Sequence, residues 1–228
     1  MATGTVYHGV SKTSPIHGFK VGTGDNYTDI SDAGVITYAG TAKRSLTLRP
    51  QMASSQLVRT GAVTSLIPTP VAIGPWTGFS MGIWGEAGDA VYEQLFFRMR
   101  VPYRWDGETN PYFKMIVALS DAEDVGDKFQ FQLYWNNTSV TGAIEADGVT
   151  QATETTVITD HAAQYSTYSV SFELDYDNAG LQQTMVARNN LVGRIRRIAA
   201  SSLGVTNEPI IMDWATQWTV DKIYGLIS

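Results

Sequence analysis

Apolar and polar side chains alternate along much of this chain, and the alternation is concentrated after about residue 79. Over 91–101, Val91, Leu95, Phe97, Met99 and Val101 share one face with Glu93, while Tyr92, Gln94, Phe96, Arg98 and Arg100 share the other. A period of two sustained over that length predicts a half-buried strand. Pro102 ends it, and the run Arg104-Trp105-Asp106-Gly107-Glu108-Thr109-Asn110-Pro111 is turn chemistry. Phe113, Met115, Val117 and Leu119 form the next alternating face. Phe129, Phe131, Leu133 and Trp135 then alternate against Lys128, Gln130, Gln132 and Tyr134, with Asn136-Asn137 closing the strand. Tyr168, Val170, Phe172 and Leu174 alternate against Thr167, Ser169, Ser171 and Glu173.

Other stretches are weaker. A short apolar run covers 79–84, and a faint strand is expected at 155–158 in a Thr- and Ala-rich loop. Residues 181–200 fit both a helical stripe (Leu181, Met185, Val192, Ile195, Ala199) and a strand. The all-β surroundings favour a strand at 191–199 and confine any helix to 181–187. A final strand at 209–223 holds Trp214, Trp218 and Val220. Eight or so strands with turns between them, and no strand–helix alternation, predict an antiparallel two-sheet β-sandwich with a jelly roll as the expected topology.

Residues 1–60 differ. They carry few large apolar side chains and many Gly, Ser and Thr, with short strand-like pieces at 18–21, 35–38 and 45–48. Such a segment cannot easily build its own core, so it is expected as an extended arm or as edge strands laid on something else. Pro68, Pro70 and Pro75 punctuate a loop at 61–78, because Pro excludes central strand positions. The expected division is therefore an anchoring arm at 1–80 and a jelly-roll body at 81–228, with residues 1–60 removable without unfolding the body.

Composition agrees with the pattern. The 228 residues are 43% hydrophobic and 11% aromatic, and 25 Thr and 16 Ser stand beside 21 Gly. That is too apolar for a disordered chain. Only 17% are charged, against roughly 25% in an average soluble domain. Cysteine is absent, so disulfides and Cys-ligated metal centres are excluded. No basic-then-apolar leader opens the sequence and no run of about 18 apolar residues occurs, so a soluble protein made in the cytoplasm is expected.

Net charge is −6, which argues against a general nucleic-acid binder. The charge is unevenly spread. Lys12, Lys20, Lys43, Arg44, Arg49 and Arg59 face three acids within residues 1–60, giving +3, which leaves −9 for the remainder. These six cations read either as a solvated loop surface or as an arm that docks on an acidic partner. Arg194, Arg196 and Arg197 read more readily as an interface or ion-pair cluster than as a ligand site.

No catalytic motif is present. His8, His17 and His161 show no metal-ligand spacing, no G-x-S-x-G elbow or P-loop occurs, and Gly22-Thr23-Gly24 lacks the third glycine of a dinucleotide site. Asp106 and Glu108 beside Trp105 superficially suggest a glycosidase pair. The simpler expectation is Trp105 packed at the sheet edge with both acids facing water. Asp121, Glu123, Asp124 and Asp127 offer the hard oxygen ligands that calcium prefers, but the run lacks an EF-hand pattern and reads better as a solvated acidic turn. Asn-x-Ser/Thr sequons at Asn26, Asn136 and Asn137 mean little without a leader. Tyr92, Phe96 and Tyr134 could stack sugars, though aromatics at this period more often serve a core or an oligomer contact.

The stretch Phe96-Phe97-Arg98-Met99-Arg100-Val101-Pro102-Tyr103-Arg104-Trp105-Asp106-Gly107 resembles virion proteins of tailed phages and related viruses. In that pattern an apolar strand ends in a Pro-aromatic-x-Trp-Asp-Gly turn. The strands at 113–119, 129–135 and 191–199 continue the resemblance, which covers about residues 85–223. It implies a jelly-roll capsid decoration (cement), head-fibre or tail-associated protein, acting without enzymatic activity or cofactor. Implied partners are the major capsid protein or another virion protein and sister subunits, with a homotrimer expected and the virion as location. The alternative is a tail-associated receptor- or carbohydrate-binding module. A hydrolase on a sandwich scaffold is the third reading, and it would need two carboxylates converging in a cleft.

Overall fold

A computed structural model describes residues 19–31, 36–40, 43–54, 65–66, 68–82, 92–138, 150–159, 163–177, 184–198 and 207–221. These residues form fifteen strands and no α-helix, so the fold is all-β. Nearly every pairing is antiparallel.

The first three strands, β1 (Phe19–Thr23), β2 (Asn26–Ile30) and β3 (Ile36–Tyr38), form a small sheet of their own. The Tyr38 amide donates to the Asp221 carbonyl, tying β3 to the C-terminal end of the last strand.

One six-stranded sheet runs in the order β13 (Thr167–Glu173), β10 (Tyr112–Ala118), β15 (Ile210–Val220), β8 (Trp76–Ser80), β7 (Thr69–Ile73). Strand β4 (Arg44–Leu48) also pairs with β15. The two ends of β15 therefore have different neighbours: Ile210 and Ile211 pair with β8, whereas Thr216 to Val220 pair with β4. The other six-stranded sheet runs β12 (Thr150–Val157), β11 (Lys128–Thr138), β14 (Asn190–Arg197), β9 (Tyr92–Arg100), β5 (Gln51–Ser54). The two-residue β6 (Ser65–Leu66) adds to β9 in parallel.

Period-two alternation gives each sheet one apolar face. Phe113, Met115, Val117, Val170, Phe172, Ile211 and Trp218 from the first sheet are buried. Leu95, Phe97, Phe129, Phe131, Leu133, Trp135, Leu191 and Ile195 from the second are buried with them in a single cluster. Phe97 and Phe113 bring ring centroids from opposite sheets within 4.7 Å. Phe129 and Tyr168 make a second such contact at 5.9 Å. Gly193 faces this core, where an added Cβ would come within 2.5 Å of the Phe97 ring and 2.3 Å of the Tyr134 carbonyl oxygen. The ring occupies the space that a side chain would fill.

Several sequence expectations change here. The Pro-marked stretch expected as a loop contains the β7–β8 hairpin, turning at Gly74-Pro75 with Gly74 at φ 56°. Pro70 is tolerated because, among the described residues, β7 pairs only with β8 and ends the sheet on its other side. Asn136-Asn137 does not close β11, which continues to Thr138 with Asn136 buried. Residues 184–187 are not helical, and the ambiguous segment forms β14, as the strand reading expected.

Residues 1–18 lie outside the described part of the chain. Residues 44–54 are not a detached arm: β4 and β5 are edge strands on the two larger sheets, and Leu46, Leu48 and Met52 pack against the core. Among the described residues no helix is long and apolar enough to cross a membrane.

Candidate functional site

The turn between β9 and β10 is built around Asp106. Its Oδ1 accepts from the amides of Glu108 (3.2 Å) and Thr109 (3.0 Å). Its Oδ2 accepts from the Thr109 hydroxyl (2.7 Å) and the Lys43 ammonium (2.7 Å). Burial pushes the Asp106 carboxyl up, but Lys43 and the turn donors outweigh it and hold the group below the usual carboxylate range. Lys43 answers in kind: burial lowers it, and Asp106 and Glu108 together raise it above an ordinary lysine.

Trp105 lies 2% exposed in the core, edge-on to Tyr176 and Trp218, with its indole N–H donating to the Thr109 carbonyl at 2.9 Å. The expectation that both acids face water is corrected. The Asp106 side chain is 1% exposed, while Glu108 is open. Both Asp106 oxygens are spent on folding the turn and clamping the segment before β4.

Beside that clamp, the outer face of the first sheet carries a shallow groove of about 350 Å³. Lys43, Arg44 and Ser45 form one wall. Tyr112 and Lys114 of β10 form its floor with Gln217 and Thr219 of β15, and Asn110 and Ser171 complete it. The register explains the trough. Lys114 stands between Ser171 and Ala215, two short side chains, and Tyr112 stands beside Gln217. The Lys114 ammonium lies 5.8 Å from the Tyr112 ring centroid, and the Arg44 guanidinium 5.6 Å from that of Tyr38. Asn110 donates to Glu173 (2.7 Å), and Gln217 donates to the Ser45 hydroxyl (2.9 Å).

The second sheet presents a different surface. Phe96, Arg194 and Tyr134 lie side by side on β9, β14 and β11. Arg194 therefore separates the two aromatics that the sequence suggested as a stacking row. Arg194 and Arg196 each hold a guanidinium 4.7 Å from the Tyr134 ring centroid. Arg196 donates to Gln132 Oε1 at 2.8 Å, and the Tyr134 hydroxyl donates to the same oxygen at 2.6 Å. The side chain of Tyr92 lies outside the described part. The neighbouring Arg197 points the opposite way, into the core, where it is 1% exposed and donates to the Met81 carbonyl. Alternation thus splits the arginine cluster: two members dress an outer face and the third is structural.

The remaining candidates scatter. Arg49 pairs with Asp213 (2.9 Å) at an exposed position. Lys20 sits in β1 opposite Asp29. Lys12, Arg59 and the three histidines lie outside the described residues. In the acidic turn, Asp121 accepts from the Ala122 amide and Asp127 from the Asp124 amide. Glu123 is pushed up mainly by burial. Among the described residues no three His, Asp or Glu side chains converge on one cation position.

Charge alone marks Lys43 and Arg44 in the sequence, and nothing there marks them as part of a groove. The alternation at 113–119 already places Tyr112 and Lys114 on the outward face. No local signal places Gln217 and Thr219 beside them. No protein-family model matches the chain, and no curated protein matches it.

Proposed function

We propose that this chain is a structural protein of a virus particle, a capsid decoration protein of a tailed phage or a related virus. The observation that carries the reading is strand order. Counting β8 through β15 as eight strands, the two larger sheets read first–eighth–third–sixth and second–seventh–fourth–fifth. That winding is the one expected of a jelly-roll sandwich, the scaffold that the resemblance over about residues 85–223 implies. Residues ahead of β8 supplement both sheets at their edges through β4, β5 and β7, as a segment would that links the body to neighbours.

In this reading the residues before β4 contact the major capsid protein or another virion protein, the body projects, and subunits associate as trimers. The outward Arg194 and Arg196 and the basic N-terminal positions are the candidate contacts. Co-sedimentation with isolated particles tests it, comparing the full chain with a chain lacking residues 1–40, which keeps the Lys43 clamp and β4. The full chain should pellet with particles and the shortened chain should stay in solution. Equal pelleting of both, or of neither, overturns the assignment. Light scattering should give three times 24.9 kDa.

A further inference from the structure

We propose that the groove on the outer face of β4, β15 and β10 binds an acidic saccharide, its carboxylate or sulfate on Lys114 and Arg44 and a sugar ring on Tyr112. The site does not depend on the capsid assignment, and a protein with no affinity for particles could still carry it.

Charge is the first argument. The chain is net −6, yet Lys43, Arg44 and Lys114 converge on one groove. Lys43 is committed to Asp106 and Glu108. Lys114 and Arg44 have no carboxylate within ion-pair distance among the described residues; the contacts they make are with the faces of Tyr112 and Tyr38. Two cations resting on aromatic rings beside an open trough are placed to receive an anion.

Shape and chemistry narrow that anion. The volume of about 350 Å³ falls at the small end of ligand pockets, which run from roughly 300 to 1,000 Å³. Tyr112 is 37% exposed and offers a ring face against which the C–H groups of a sugar can pack. Ser171, Thr219 and the Gln217 carbonyl oxygen offer hydroxyl-matching hydrogen bonds around it. Glu173, the cross-strand partner of Tyr112, sets a limit on charge density. A nearby carboxylate held by Asn110 disfavours a polyanion and suits a ligand with one anionic group among several hydroxyls. A polypeptide that bound by strand addition would need an unpaired edge in the floor, and Tyr112 and Lys114 of β10 are paired on both sides, by β13 and β15. An acidic peptide held by side chains alone is the rival that poly-glutamate tests.

Lys114 and Tyr112 are exposed, so substituting them leaves the core intact. The full chain is first tested on an array of neutral, carboxylated and sulfated oligosaccharides. Calorimetry then follows with sialyllactose and a galacturonate disaccharide, and with poly-glutamate as the polypeptide comparison. The expected result is retention of acidic over neutral glycans, binding of at least one of the two probes, and weakening by added salt. Lys114→Ala should weaken that binding by about tenfold or more, as expected for losing a charge-assisted contact. Tyr112→Ala should also weaken it, Tyr112→Phe should retain it, and Arg100→Ala on the opposite sheet should leave it unchanged. The proposal is overturned if no acidic glycan is retained, if poly-glutamate alone binds, or if Lys114→Ala binds as the wild type does.

Discussion

Asp106 gathers four donors onto two oxygens, one of them the ammonium of a residue 63 positions away. Removing such an acceptor strands donors that the fold has already desolvated. Asp106→Ala should therefore cost about 2 kcal/mol, read as a lowered urea midpoint with an unchanged slope. The pH dependence follows from the direction of each shift. A carboxyl held below its ordinary value contributes stability that is complete above the unfolded value, about 3.9, and is lost as pH falls through the folded one. Lys43, raised by the same contact, contributes stability that is complete below about 10.4 and lost as pH rises through its folded value. Urea midpoints followed from neutral pH downward should fall for the wild type below about pH 4, and Asp106→Asn should flatten that acid limb. Parallel acid limbs in the two proteins would remove Asp106 from the account.

Strands β4 and β5 are the elements whose role the sequence described least well. Leu46, Leu48 and Met52 are spaced by turn and polar residues, so they do not announce a core contact, yet all three pack on the cluster between the large sheets. Their pairing with β15 and β9 covers hydrogen-bonding groups that would otherwise stand open at two sheet margins. A chain lacking residues 1–40 should melt close to the full protein. A chain lacking residues 1–60 should melt lower and aggregate, a result that differential scanning calorimetry and light scattering would register. Equal melting of both shortened chains would return residues 44–54 to the status of a separable arm. By contrast, β9, β10, β11 and β13 are legible in the sequence, because apolar and polar residues alternate in each over seven positions or more. The β7–β8 hairpin is not, because Pro70 marks an edge as readily as a loop. The groove is half legible: Lys43 and Arg44 stand out by charge, whereas Gln217 and Thr219 reach it only through the register of β15 against β10 and β4.

For the molecule as a whole, the last described strand carries the most consequence. β15 pairs with β10 between Ile210 and Gln217, at its start with β8 and at its end with β4, so the first large sheet cannot close until residues 210–220 are in place. The register Thr216↔Leu48 joins positions 168 apart in sequence, and the intervening chain loses entropy before that pairing returns any energy. Pairings this remote place folding on the slow side, from about milliseconds to seconds, rather than in the microsecond range of local helical folds. They also make the end of the chain indispensable. A protein ending at residue 208 lacks the strand between β10 and β8, together with Trp218, which is buried against Trp105. It should show no cooperative unfolding transition and should bind a hydrophobic dye. A synthetic peptide of residues 207–221 supplied in trans should restore part of the native tryptophan signal, because an open cleft between two strands accepts a donor strand from another chain. Cooperative melting of the shortened protein on its own would mean that the remaining strands close the sheet without β15, and the strand order would then not be the organising feature of the fold.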